Sequence, residues 1–93
     1  MQKRYMIDEL LNLVLEINNK TLFEATFNFM GHSDCVEIFI HELDGGKLRN
    51  IYFSNSIYFG DSLKALGEKR FAEAKEFLTK FLEEKSKEVK AQL

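Results

Sequence analysis

The residue types best suited to chemistry lie together in one stretch, His32-Ser33-Asp34-Cys35. A base, a hydroxyl, an acid and a thiol are the components of a nucleophilic triad, which works when hydrogen bonds link its members. Adjacent residues in a turn point in divergent directions, and no glycine-rich oxyanion loop accompanies them. We therefore expect a polar turn with Cys35 half-buried at the start of a strand, no catalytic residues and no enzymatic activity.

The same stretch also invites a metal-site interpretation, because His32 and Cys35 have ligand-like spacing and His41 follows on the same strand face. Six strand residues separate Cys35 from His41 by about 20 Å. Bonds to zinc are only about 2.0–2.3 Å long. These side chains cannot share an ion, and the chain has no further histidine or cysteine. We expect no metal and no cofactor.

The segment from Thr21 to Phe53 must position these side chains, and its apolar and polar residues alternate as in half-buried strands. Three antiparallel strands are predicted near 22–30, 35–43 and 48–53. Asp44-Gly45-Gly46-Lys47 predicts a two-residue hairpin loop, since glycine accepts the positive φ that such a loop requires. The first hairpin has two candidate loops, a tight one at residues 31–32 and a longer one over residues 30–34.

A two-residue loop after Asp44 fixes a register in which Phe39 lies opposite Tyr52. One face then carries the predicted core, with Phe27 of the first strand and Val36, Ile38, Ile40, Ile51 and Phe53. The other face exposes Phe39, Tyr52 and His41. Residues 57–59 are either a short fourth strand or the third strand continuing past a bulge.

The first helix is predicted from Gln2 to Ile17, followed by a stop at Asn18-Asn19. With Leu11 and Leu15, its apolar arc spans roughly 200°, whereas about 100° covers one sheet face. Either the second helix packs against the remaining flank, or that flank forms a subunit interface.

A second helix is predicted to start after a cap at Asp61 or Ser62 and to reach Lys90. Gly67 either divides a short first turn from the main helix or lets the backbone approach the sheet. The helix is longer than the strands, so residues 84–93 are expected to project or fray. The result is a single α+β domain over residues 1–93, of order α-β-β-β-α, with both helices on one sheet face.

Composition narrows the classes of function. The chain has 93 residues, of which 45% are hydrophobic, and one cysteine. A single cysteine cannot form an internal disulfide, which favours a reducing compartment, and no apolar run approaches the roughly 20 residues of a membrane span. We expect a cytoplasmic protein that does not contact membranes. Residues 21–60 carry two basic and five acidic side chains, which disfavours a sheet laid on phosphates.

Nucleic-acid binding is the alternative function, because double-stranded-RNA-binding domains have the same order of elements. Such domains grip phosphates with a basic cluster at the start of their second helix. Here Lys64, Lys69 and Arg70 would have to serve, scattered among Asp61 and Glu68. The likeness to those domains is one of topology.

The residues Phe27-Asn28-Phe29-Met30-Gly31-His32, followed by Asp34, a strand, a hairpin and an acidic-basic helix, resemble small uncharacterised proteins encoded by phages and prophages of Gram-positive bacteria. The resemblance covers mainly residues 10–55. It implies an intracellular accessory protein and brings no catalytic residues.

Together these patterns predict a non-enzymatic protein that acts by protein–protein interaction, either with another protein or, as a homodimer, with itself. The candidate interaction residues are those without an assigned partner in the predicted fold, namely Phe39, Tyr52, His41, Leu11 and Leu15.

Overall fold

The computed structural model describes residues 3–44, 46–60 and 64–92, and it confirms the predicted order α-β-β-β-α. Three antiparallel strands form one sheet in the order β1-β2-β3. The elements are α1 (Lys3–Lys20), β1 (Phe23–Met30), β2 (Cys35–Asp44), β3 (Lys47–Tyr58) and α2 (Lys64–Gln92).

Both helices pack on the same face of the sheet and share one hydrophobic core with it. Each fully buried aliphatic side chain in such a core contributes about 1.5–3 kcal/mol. The core draws on all five elements, through Met6, Leu10, Val14, Ile17, Ala25, Val36, Ile38, Ile40, Ile57, Phe71, Ala74, Leu78 and Phe81.

Helix α1 ends later than predicted. The helical hydrogen bonding continues past Asn18, and the backbone N–H of Thr21 donates to the Ile17 carbonyl at 3.1 Å. The Thr21 hydroxyl donates to the same carbonyl at 2.7 Å. The expected stop at Asn18-Asn19 is wrong because Asn18 uses its side chain on the sheet and does not cap the helix.

The first hairpin has the longer of the two candidate loops. Met30 lies opposite Cys35, and a 3-10 turn over Gly31–Ser33 joins the strands. Asp34 closes the loop in the left-handed conformation, with φ 48°. Its carboxylate accepts a hydrogen bond from the Lys3 ammonium at 2.8 Å, which ties the start of α1 to this loop.

The second hairpin has the predicted two-residue loop, since Asp44 lies opposite Lys47 and Gly46 has a φ of 82°. Gly45 lies outside the described residues. Beyond Glu42 and its partner Arg49, the register departs from the prediction.

Two irregularities in β3 cause the departure. His41 lies opposite Ile51 and Ile40 opposite Phe53, so Asn50 and Tyr52 are extra residues. Asn50 takes a φ of 36°. Each bulge adds one residue to one strand and shifts the side chains that follow.

The predicted pair Phe39–Tyr52 is therefore wrong. Phe39 lies opposite Ser54, and Ile51 is 62% exposed where a core residue was expected. The second bulge restores the alternation, so Phe53 packs against the core as predicted.

Strand β3 then continues to Tyr58 without a break, so residues 57 and 58 belong to the third strand and form no fourth strand. Ile57 lies opposite Val36 and is fully buried, which adds a core residue that the predicted strand end at Phe53 omitted. On β1, Phe29 lies on the same face as the core residue Phe27 but is 48% exposed. The helices do not cover this end of the edge strand.

Gly67 lets α2 approach the end of β3. A Cβ atom at this position would overlap the carbonyl oxygen of Tyr58. Of the two roles predicted for this glycine, close backbone approach is the one observed. The predicted caps Asp61 and Ser62 lie outside the described residues.

Helix α2 continues to Gln92, well past Phe81, which is its last buried core residue among the side chains described, up to residue 88. Two ion pairs lie along its exposed side. Lys80 contacts Glu76 at 3.0 Å, and Lys87 contacts Glu83 at 4.0 Å. Exposed pairs of this spacing each contribute about 0.3–0.5 kcal/mol.

Side chains from the two helices bind the backbone at both edges of the sheet. The Asn18 amide donates to the Ala25 carbonyl and accepts from the Ala25 N–H, both at 2.8 Å. On the opposite edge, the Arg70 guanidinium donates to the Ser56 carbonyl at 2.9 Å. Each helix thereby satisfies part of the edge beside it.

We predict that Gly67→Ala lowers the free energy of unfolding by roughly 1–3 kcal/mol, because the added methyl group meets a backbone carbonyl that cannot move aside. In an exposed helix the same change would stabilise by about 1 kcal/mol. Gly60→Ala is the matched control, since a Cβ there meets nothing within 4 Å. Urea unfolding measures both, and equal stability of the two variants would contradict the close approach.

We also predict that Asn18→Ala lowers the free energy of unfolding by about 1–2 kcal/mol, since two backbone groups of Ala25 lose their partner. Asn19→Ala, at the neighbouring exposed position, should change it by less than about 0.5 kcal/mol. Urea unfolding of the two variants side by side makes the comparison. A loss of the same size at both positions would show that the two hydrogen bonds between the Asn18 amide and Ala25 contribute nothing to stability.

Candidate interaction surfaces

The stretch with triad-type residues does not form a hydrogen-bonded relay. His32 and Ser33 are exposed in the turn, and the Ser33 hydroxyl donates to the Met30 carbonyl at 3.4 Å. The Asp34 carboxylate is paired with Lys3. Cys35 is only 1% exposed, more deeply buried than the expected half-buried position.

Burial raises the pKa of the Cys35 thiol above its usual value of 9.0, and hydrogen bonding to the Tyr58 side chain opposes the rise. The nearby charge of Glu37 raises this pKa further, and a backbone hydrogen bond at Ile57 opposes it. The protonated thiol is a weak nucleophile and a poor metal ligand. Among the described residues, no group of three or more His, Cys, Asp or Glu side chains could hold a metal ion.

The sheet face away from the helices is the first candidate interaction surface. Phe39 lies at its centre, half-buried between Thr26 of β1 and Ser54 of β3. Glu37, next along β2 on this face, lies opposite Asn28. This open face therefore carries Phe39 at its centre and Tyr58, opposite Cys35, at one end, where the sequence predicted the pair Phe39 and Tyr52.

His41 extends this face toward the second hairpin. Its ring lies 6.3 Å from that of Phe39, and its strand neighbours are Glu24 and the exposed Ile51. The buried Nδ1 atom of His41 has no hydrogen-bond partner among the described residues. The structure thus brings Phe39 and His41 together, but not Tyr52.

Tyr52 lies on the helix side of the sheet because it is the extra residue of the second bulge. Its ring meets Phe23 edge-on, 5.1 Å between centroids, and its hydroxyl donates to Glu42 at 3.4 Å. Asn50, the other extra residue, donates to the same carboxylate oxygen at 3.1 Å. The bulges therefore turn Tyr52 toward the helix-covered face, where sequence alternation did not place it.

Tyr52 begins a continuous row of rings that sequence reasoning missed. Centroid distances along it are 5.1 Å from Tyr52 to Phe23, 4.9 Å to Phe81, 5.9 Å to Phe77 and 4.6 Å to Phe53. Such contacts each add about 0.5–1.5 kcal/mol beyond area burial. The Lys85 ammonium lies 5.5 Å from the Phe23 centroid, so it covers the part of the row at Phe23. We interpret the row as packing that joins α2 to the bulged end of β3.

The second candidate surface combines α1 with the free edge of β1. Leu11 is half-buried and Leu15 is 49% exposed. Both share a helix flank with Asn18, which follows them by seven and three residues. Since Asn18 contacts the edge of β1, this flank faces the same edge. We call Leu11, Leu15 and the edge of β1 from Phe27 to Met30 the β1 flank.

The nucleic-acid candidates do not form a basic cluster in the described structure. The Lys64 side chain lies outside the described residues, and Lys69 is exposed. Arg70 is half-buried and holds the Ser56 carbonyl. A guanidinium already committed to the sheet edge is a poor phosphate contact.

Neither described helix contains a segment long and apolar enough to cross a membrane. Comparison of the chain with protein-family models, curated proteins and solved structures finds no match. The resemblance to phage-encoded proteins and the likeness to RNA-binding domains therefore stay predictions.

We predict that the stabilisation supplied by Cys35 declines at alkaline pH. A thiol with a raised folded-state pKa contributes fully below pH 9.0, its unfolded value, and loses that contribution as the pH rises through the folded pKa. The measurement is urea unfolding of the native chain and Cys35→Ala at pH 8 and 10. The difference between them should shrink at the higher pH, and a constant difference would show that the thiol does not titrate differently on folding.

Proposed function

We propose that this chain is a non-enzymatic, intracellular protein that works by protein–protein interaction and forms a homodimer through the β1 flank. The observation that supports it is the concentration of exposed apolar side chains there, with Leu15 49% and Phe29 48% exposed. Burying a side chain of this size is worth about 1.5–3 kcal/mol. The second helix packs along the other side of α1, where Lys75 contacts Glu9 at 3.2 Å. Leu15 stays exposed although it also borders the shallow groove with Lys75 and Thr79 of α2.

The wide apolar arc of α1 was predicted either to pack against α2 or to form a subunit interface, and the position of α2 bears on both alternatives. Leu13 packs against the core, whereas Leu15 points away from it. The excess apolar arc is thus shared between an internal contact and an external surface. An external apolar stripe beside an unpaired strand edge is typical of an interface.

The open face is the weaker candidate for the dimer contact. Phe39 is already half-buried by its strand neighbours, and Glu24 and Glu37 place like charges on the face of any second copy. Phe39 and His41 therefore serve better as a site for a different protein partner. Tyr52 contributes to neither surface, since it faces the helix side.

Nucleic-acid binding gains no support from the geometry, because Arg70 is engaged and the open face carries carboxylates. A cytoplasmic setting fits the single cysteine, which is a free, buried thiol. An accessory role in a phage or prophage is part of the proposal only because residues 27–32 and 34 resemble those of small phage-encoded proteins.

Light scattering coupled to size-exclusion chromatography tests the homodimer. We expect a dimer at high micromolar concentration for the native chain and at least a tenfold weaker dimer for Leu15→Lys, because tenfold corresponds to about 1.4 kcal/mol. Phe39→Lys, which places the same charge on the open face, is the matched control and should leave the dimer intact.

Two results would count against this assignment. A native chain that stays monomeric at high micromolar concentration would remove the homodimer. Loss of the dimer in Phe39→Lys, with Leu15→Lys unaffected, would move the interface to the open face. Circular dichroism of each variant checks that its secondary structure is unchanged.

A further inference from the structure

The backbone groups along the outer edge of β1 are hydrogen-bonded in its first half, at Phe23 and Ala25, and open in its second half, at Phe27 and Phe29. Asn18 binds both the N–H and the C=O of Ala25, so these groups point away from β2. The Phe23 N–H is likewise held by the Thr21 hydroxyl, at 3.1 Å. Because hydrogen-bonded and non-hydrogen-bonded positions alternate along an antiparallel strand, Phe27 and Phe29 also point their backbone groups outward.

The open half lacks the features that protect natural edges from pairing. From Ala25 to Met30 there is no charged residue and no proline, and the register with β2 has no bulge. Lysine, proline and bulges are the usual means of blocking an edge. No hydrogen bond to the outward groups of Phe27 or Phe29 is found within the described ranges 3–44, 46–60 and 64–92.

We propose that a second copy of this chain occupies this edge, with β1 paired antiparallel to β1 of the other copy about a two-fold axis at Asn28. Phe27 of each copy then lies opposite Phe29 of the other, and the two sheets join into one of six strands. The inference rests on the proposed homodimer and specifies how its two copies pair.

Asn18 selects this register over its neighbours. With the axis at Phe27, Phe29 would lie opposite Ala25 of the second copy, whose groups Asn18 already binds. With the axis at Phe29, Phe27 would lie opposite Gly31, which is in the 3-10 turn and outside the strand. With the axis at Asn28, the open N–H and C=O groups of Phe27 in each copy face the open C=O and N–H groups of Phe29 in the other.

The side chains fit the same register. The exposed Phe29 gains Phe27 of the second copy as its neighbour on the helix side of the sheet. Glu24, the nearest charge on β1, lies at the level of His32 of the second copy, so no like charges meet. Leu11 and Leu15 of the two copies approach beneath the joined strands, because they lie on the flank of α1 that faces this edge.

Cross-linking through Asn28→Cys tests the register. At the axis the two Cα atoms are about 4.5 Å apart in a non-hydrogen-bonded pair, within the roughly 4.4–6.8 Å of disulfides. Thr26→Cys is the matched control, on the same face of the same strand, because its two copies would be about 13 Å apart. Mild oxidation should give a covalent dimer of Asn28→Cys alone, since Cys35 is buried in both variants and in the native chain.

Amide hydrogen exchange on the native chain gives a second test of the β1 pairing, and it needs no substitution. In the paired state the amides of Phe27 and Phe29 should exchange at least tenfold more slowly at high than at low protein concentration. The amides of Thr26 and Asn28 point toward β2 and should be protected at both concentrations, which makes them internal controls.

The outcomes separate the pairing from the homodimer itself. A dimer by light scattering without Asn28→Cys cross-linking, or with equal cross-linking of Thr26→Cys, would overturn the β1 pairing and leave the homodimer. Unchanged exchange at Phe27 and Phe29 in a dimer would do the same. A chain that is monomeric at every concentration would overturn both.

Discussion

The central strand β2 buries one of its two alternating sets of side chains completely against the helices, and this constraint organises the whole chain. Val36, Ile38 and Ile40 have no exposed surface, so the helices must lie on their face. Both neighbouring strands then align to keep apolar side chains on that side. The two edges of the sheet have the same origin. With β2 fixed at the centre of three strands, β1 and β3 each keep one side without a neighbouring strand.

The sequence predicted this architecture because alternation and the paired glycines are strong local signals. It located the two-residue loop and the core face of β2, and it recognised that Gly67 could serve a close approach. It placed Ile51 and Tyr52 on the wrong faces because bulges leave no trace in alternation alone: one extra residue inverts the pattern and a second restores it. The positive φ of Asn50 is the one local hint, since asparagine tolerates that conformation better than most residues.

The candidate surfaces were predicted less completely than the fold. The wide apolar arc of α1 identified Leu11 and Leu15, because helical periodicity depends on sequence spacing alone. It could not show that this flank faces a strand edge, which depends on where Asn18 lies in three dimensions. An asparagine after a helical pattern is ordinarily interpreted as a cap. Here its amide acts as a short substitute for a neighbouring strand, and no sequence signal separates the two uses.

The two edges of the sheet are treated differently, and the difference has a physical basis. On β3, Arg70 binds Ser56 and the close approach at Gly67 covers the Tyr58 carbonyl, so α2 occupies this edge at two successive outward positions. On β1, α1 satisfies Ala25 through Asn18 and leaves the strand beyond it open. A covered edge opposes uncontrolled sheet extension, whereas a short open edge of uncharged residues can pair with a second strand. In the proposed dimer, β3 would form each outer edge of the joined sheet, with its Ser56 and Tyr58 carbonyls facing α2.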